Sequence, residues 1–130
     1  LIKVHHIGYL VKNIDKARKS FEVLGFKAQG DTVFDSIRGV DIIFLDKDGY
    51  VVELVSPVVE NSVVAELIKK YKNSPYHMCY VSDNFEEDLK SLEAQKFTCF
   101  DEPKPAPALG GRKVCFLMNP RIGMIELLEA

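Results

Sequence analysis

Laid against itself, the 130-residue chain matches with a shift of 71 positions: His6 falls on His77, Tyr9 on Tyr80, Asn13 on Asn84, Ser20 on Ser91 and Phe26 on Phe97. Further on, Phe44-Leu45 meets Phe116-Leu117 and Val52-Glu53-Leu54 meets Ile125-Glu126-Leu127, so the register slips by only two residues over a whole copy. A repeated sequence is expected to fold as a repeated supersecondary unit, and this limits the architecture more than any compositional figure.

The same pattern of elements is predicted in each copy. Residues 2–11 are β-branched, aromatic and apolar, and read as a strand. Asn13 offers a helix cap, Ile14, Ala17, Phe21 and Leu24 recur at helical spacing, and Gly25 stands where a left-handed terminal residue is wanted. Strands are expected at 32–35, 40–46 and 50–55, the last two joined by the turn Asp46-Lys47-Asp48-Gly49. After Pro57, Asn61 or Ser62 is placed to cap a linking helix that runs to Tyr71. The second copy gives a strand over 76–82, a helix capped by Asp83 or Asn84, and strands at 97–100, 112–118 and 123–128. The proline-containing segment 101–108 is expected to be irregular. The expected fold is therefore α+β, one domain over 1–130, with βαβββ modules at 2–56 and 75–129 and a helical linker at 57–74.

Strand alternation singles out four side chains. His6 shares a face with Val4, Gly8 and Leu10, and His77 shares one with Cys79 and Val81. Glu53 goes with Val51 and Val55, and Glu126 with Met124 and Leu128. A charged carboxylate on an apolar face is costly unless it is neutralised, paired or metal-bound. Two imidazoles and two carboxylates, without thiolates, suit an open divalent site better than a closed structural zinc site. A strand histidine is more often a satisfied core or edge residue, and a terminal-strand glutamate more often faces solvent. The symmetry of the four positions favours a shared site. His5 lies on the face of Lys3 and is expected at the sheet edge.

Composition removes several classes of function. Seventeen basic against nineteen acidic side chains leave a formal charge of −2, which gives no general attraction to nucleic acid or an anionic membrane. No stretch approaches the roughly 20 apolar residues of a membrane span. The run Leu1-Ile2-Lys3-Val4 turns polar at His5, unlike a signal peptide. Cys79, Cys99 and Cys115 are odd in number, lack C-x-x-C spacing and sit among apolar neighbours, as expected of a reducing, cytoplasmic setting. Neither a dinucleotide-binding glycine motif, a P-loop, a serine elbow nor H-E-x-x-H is present.

With the motifs His6-Ile7-Gly8, Val52-Glu53-Leu54, Tyr76-His77-Met78 and Ile125-Glu126-Leu127-Leu128-Glu129, the sequence resembles the vicinal oxygen chelate superfamily, the group of glyoxalase I, methylmalonyl-CoA epimerase, extradiol dioxygenases and bleomycin-resistance proteins. The resemblance implies two βαβββ modules pairing into a cupped, incomplete barrel. It also implies one divalent ion held by His6, Glu53, His77 and Glu126, with nickel or cobalt favoured and zinc also suitable. Glu126 would be the catalytic base. The main expectation is glyoxalase I-like (lactoylglutathione lyase-like) isomerisation of a thiol–methylglyoxal hemithioacetal to a 2-hydroxyacyl thioester. Acyl-CoA epimerisation is the alternative, and a non-catalytic drug-binding protein a further one. The substrate would be a small thiol adduct or acyl thioester, and the protein a homodimer. Positions that anchor glutathione in glyoxalase I read Leu10 and Pro57 here, which suggests another thiol. Epimerases carry a second carboxylate where this chain has Ile37, and Asp35 is near but out of register. Gly110-Gly111-Arg112-Lys113 either meets a substrate anion or is a solvated connection, and the second reading is favoured.

Overall fold

The computed structural model describes residues 2–130; Leu1, which opens the amino-terminal run discussed above, lies outside the described residues. Among these, the chain is α+β, with ten strands and three α-helices. It forms two compact units. One is Ile7–Tyr76; the other consists of His6 and the residues before it together with His77–Ala130. No helix among the described residues is long and apolar enough to cross a membrane.

The Ile7–Tyr76 unit receives the second half of β1 (Ile2–Leu10), followed by α1 (Ile14–Val23), β2 (Lys27–Ala28), β3 (Val33–Asp35), β4 (Val40–Lys47), β5 (Tyr50–Pro57) and α2 (Ala65–Tyr71). Its strands lie in the order β2-β4-β5-β1, and β3 also pairs with β4. The β4–β5 hairpin is antiparallel from Val40 opposite Pro57 to Lys47 opposite Tyr50. It is closed by Asp48 (φ 54°) and Gly49 (φ 84°), the two left-handed residues that a tight hairpin of this twist requires. β5 then runs parallel to β1, with Ile7 opposite Val52 and Leu10 opposite Val55. Asn13 caps α1 by accepting from the Lys16 amide at 2.9 Å. The helix lays Ile14, Ala17 and Phe21 over Ile43, Leu45, Val52 and Leu54.

The second unit repeats this plan with β6 (Ser74–Ser82), which enters it at His77, α3 (Phe85–Ala94), β7 (Thr98–Cys99), β8 (Lys104–Ala106), a 3₁₀ turn (Pro107–Leu109), β9 (Arg112–Asn119) and β10 (Gly123–Glu129). The first half of β1 is followed across this unit by β6, β10, β9 and β7, with β8 on β9. β10 is parallel to β6 and antiparallel to β9. α3 packs Phe85 and Leu89 onto Cys115, Leu117, Ile125 and Leu127. Each copy thus reads strand, helix, four strands, with its first and last strands paired in parallel.

Four local features depart from expectation. α3 begins after Asn84 as expected, but the Asn84 side chain makes no cap hydrogen bond and donates instead to Glu87 at 2.8 Å. β2 is a two-residue strand, too short to show alternation in sequence. The segment expected to be irregular contains β8, whose Pro105 sits opposite Lys113. A proline is tolerated there because β8 pairs with β9 alone, so the missing N–H costs no ladder bond. Finally, α2 starts at Ala65 behind Val64, without a side-chain cap, and not at Asn61 or Ser62. The chain before it is held otherwise: the amides of Val58 and Val59 bond to the Gly39 carbonyl, and Gly39 (φ 67°) would collide with Val59 if it carried a Cβ.

One helix covers one face of the sheet in each unit, and this places the functional candidates. In the second unit Ile125 and Leu127 face α3. Glu126 therefore points to the opposite face, where Cys79, Ala106, Val114 and Leu128 form a separate apolar cluster. In the other unit Val52 and Leu54 face α1, which turns Glu53 away from the helix.

Candidate metal centre

His6, His77 and Glu126 are brought together on the helix-free face of the second unit by three strands, β1, β6 and β10. All three are buried, at 1%, 5% and 4% exposure. His6 Nε2 and His77 Nε2 lie 3.3 Å apart, and Glu126 Oε1 lies 3.2 Å from each. The imidazole rings meet edge to face at 5.4 Å, and Phe116 packs against His77 at 5.2 Å. Glu126 Oε1 is wholly buried and makes no hydrogen bond, although it is close to both rings. Burial by itself would raise the Glu126 carboxyl's pKa; the His6 and His77 rings beside it prevail and hold it well below the usual carboxylate range.

The donor set fits a divalent cation. Atoms about 2.1 Å from one ion, at angles between octahedral and tetrahedral, are about 3.0–3.4 Å apart. The three atoms here have that spacing, and a buried carboxylate oxygen without a hydrogen bond is otherwise a costly arrangement. Glu53 is equally buried in its own unit, on β5 opposite Gly8 of β1 and Phe44 of β4.

Other candidates from the sequence are committed elsewhere. The buried Asp35 carboxylate accepts from the Ile37 and Arg38 amides at 3.0 Å and from the Arg38 guanidinium at 2.8 Å, so it anchors a turn. Ile37 is 46% exposed. Arg112 Nε donates to the Leu109 carbonyl at 3.0 Å. Lys113 reaches Glu86 at 3.1 Å and Glu129 at 3.6 Å, and these partners raise its pKa, the Glu86 hydrogen bond foremost. His5 is the residue whose placement the alternation argument missed. It is half-buried, with Nδ1 2.8 Å from Nδ1 of His6. Alternation sets the direction of Cβ only, and rotation about the side chain brings the ring back to its neighbour. The doubled His5-His6 was the available signal.

Residues 5–116 match the family model of the glyoxalase/bleomycin resistance protein/dioxygenase superfamily. The chain belongs to this superfamily. Its members typically bind a divalent metal. The chain is 28% identical to the mitochondrial methylmalonyl-CoA epimerase of Bos taurus over 132 aligned positions, covering 98% of this chain and 74% of the relative. A hypothetical protein of Bacillus halodurans has the same fold, with a TM-score of 0.87, 27% identity and coverage of 99% of this chain and 94% of that one. The methylmalonyl-CoA epimerase of Mycobacterium tuberculosis superposes with a TM-score of 0.83 at 20% identity, covering 97% and 86%.

These similarities correct the functional expectation. The curated relatives are epimerases, so the chain falls with the enzymatic, isomerase-type members; glyoxalase I-like, lactoylglutathione lyase-type turnover of a methylglyoxal adduct is not supported. Leu10, which the sequence resemblance set against a glutathione anchor, is fully buried. The cluster could not have decided this, because both reactions need the same cation and the same base.

Proposed function

We propose that the protein removes the proton next to the carbonyl of an acyl-CoA thioester, in the manner of a methylmalonyl-CoA epimerase, at a divalent-metal centre formed by His6, Glu53, His77 and Glu126. The observation that carries this reading is a buried Glu126 carboxylate 3.2 Å from two imidazoles in a chain whose curated epimerase relatives match 98% of its length. A donor set of nitrogen and oxygen alone suits nickel, cobalt or zinc. Glu53 is the fourth ligand in this reading, at the repeat position of Glu126. A divalent ion, when bound, would supply Lewis-acid stabilisation of the charge that develops on the thioester oxygen.

The remaining work falls to side chains. His6 and His77 hold Glu126 ionised, so it is ready to accept a proton and not to donate one. The apolar cluster of Cys79, Val114 and Leu128 on the same face lowers the local dielectric and strengthens every charge interaction there. Glu126 takes the α-proton. Epimerisation also requires a proton on the opposite face; Ile37 has none to give and Asp35 is tied into its turn, so water supplies it. Inversion is therefore the slower half of the reaction.

The test is metal-reconstituted protein with a single methylmalonyl-CoA epimer in deuterated water. Deuterium should wash into the α-position several-fold faster than the stereocentre inverts. Absence of wash-in with full metal loading would refute the proposal. The same reading takes the protein as a homodimer; a monomeric mass by light scattering at micromolar concentration would count against that part.

A further inference from the structure

His6 has two ring nitrogens, and the structure gives them different neighbours. Nε2 faces His77 and Glu126, while Nδ1 faces Nδ1 of His5 at 2.8 Å, with the two rings edge to face at 79°. Two nitrogens at that distance need one N–H and one lone pair between them. If Nε2 of His6 is to offer its lone pair to a cation, the ring proton must sit on Nδ1. It is then donated to Nδ1 of His5, and the proton of His5 moves to its own Nε2. Free neutral imidazole side chains favour the opposite tautomer, so His6 needs a partner to hold this one. The buried Cys79 Sγ lies within 4.8 Å of nitrogens of both histidines, which encloses the contact on its strand-β6 side.

We propose that His5 is a positioning residue for the metal centre: by accepting the Nδ1–H of His6 it fixes the ring orientation and tautomer that leave Nε2 as the ligating atom. This rests on the reading of His6, His77 and Glu126 as a metal centre. His5 touches neither substrate nor ion and acts through His6 alone. Partners of this kind typically change metal affinity by about 10–100-fold when removed.

Two measurements test it. Long-range ¹H–¹⁵N correlation of the histidine rings in zinc-loaded wild-type protein should show the Nδ1–H of His6 hydrogen-bonded to a His5 whose own proton is on Nε2. His5 protonated on Nδ1, which would leave the Nδ1–H of His6 without its acceptor, would overturn the proposal without any variant being made. Chelator competition with cobalt should then show His5→Ala weakened about 10–100-fold. His5→Asn, whose amide oxygen can accept the same N–H, should recover most of the loss. A His5→Ala protein that keeps a wild-type circular dichroism spectrum and binds cobalt within twofold of wild type would also overturn it. Failure of wild-type protein to take up either cobalt or zinc would instead refute the metal-centre reading, and the role of His5 with it.

Discussion

Glu126→Gln separates a metal centre from a simple buried ion pair. The substitution keeps shape and volume and removes one negative charge from a site that is 4% exposed. Oε1 lies 3.2 Å from both Nε2 atoms. Even at that range, longer than the ligand distance itself, each unit of cation charge would interact with the carboxylate by about 5 kcal/mol at an effective dielectric near 20. If half of that is recovered by solvent and relaxation, about 2.5 kcal/mol remains for each unit of cation charge, approaching a hundredfold in affinity per unit. Cobalt or nickel affinity should therefore fall at least about a hundredfold, measured by chelator competition on protein whose fold is checked by circular dichroism. Were the three side chains only an ion-pair network, the same change would destabilise the fold by about 3–5 kcal/mol and leave metal affinity untouched. A folded Glu126→Gln protein with a dissociation constant within threefold of wild type would refute the ligand assignment.

Three further outcomes are expected. The folded Glu126 carboxyl is held below its ordinary value of 4.5, so its contribution to stability is complete above that pH and is lost as pH falls through the folded value; urea melts should show wild type losing more stability than Glu126→Gln between about pH 5 and pH 3, and equal losses would contradict the coupling. Burial, with the Cys99 thiol 3.1 Å away, pushes the Cys115 thiol up to about 12 from 9.0; native protein should resist iodoacetamide at Cys115 near pH 8.5, and stability should decline as pH rises past 9, whereas rapid native labelling would contradict the burial of this thiol. Leu54 and Leu127 are repeat equivalents, each fully buried under a helix, so Leu54→Ala and Leu127→Ala should each cost about 2–5 kcal/mol in urea melts, and a cost below about 1 kcal/mol for either would deny that equivalence.

Most of the fold was legible because both copies carry the same signals. The helix cap at Asn13, the hairpin turn at Asp48-Gly49 and the alternation on β1, β5, β6 and β10 act locally, and each appears where it was expected. The features that were not legible depend on contacts distant in sequence. β2 and β8 exist because β4 and β9 offer them an edge, and nothing within Lys27-Ala28 or Lys104-Pro105-Ala106 asks for a strand. The start of α2 is set by Gly39, more than twenty residues earlier, whose carbonyl ties down Val58 and Val59. His5 was placed at an edge because a strand pattern assigns faces to Cβ atoms, while the ring nitrogens of histidine lie far enough out to turn back.

The chemistry of the centre and the choice of substrate leave different traces in a sequence. Ionisable groups on an apolar strand face violate the rule that buried charge must be neutralised, paired or ligated, and His6, Glu53, His77 and Glu126 stand out among aliphatic neighbours for that reason. Residues that select one thioester over another violate nothing. Leu10 is an ordinary buried leucine, Ile37 an ordinary half-exposed isoleucine, and Arg112 and Lys113 already have the Leu109 carbonyl and the Glu86 and Glu129 carboxylates as partners. Hemithioacetal isomerisation and acyl-CoA epimerisation both begin with a carboxylate taking a proton beside a polarised carbonyl, so one arrangement of His6, His77 and Glu126 serves either. They differ in the carrier that the pocket must hold and in whether a proton must also reach the opposite face. Of the positions read as bearing on these differences, Leu10 and Ile37 carry no charge to betray them. The epimerase relatives support an acyl-CoA carrier as part of the proposal, and the rate of inversion against wash-in tests the second.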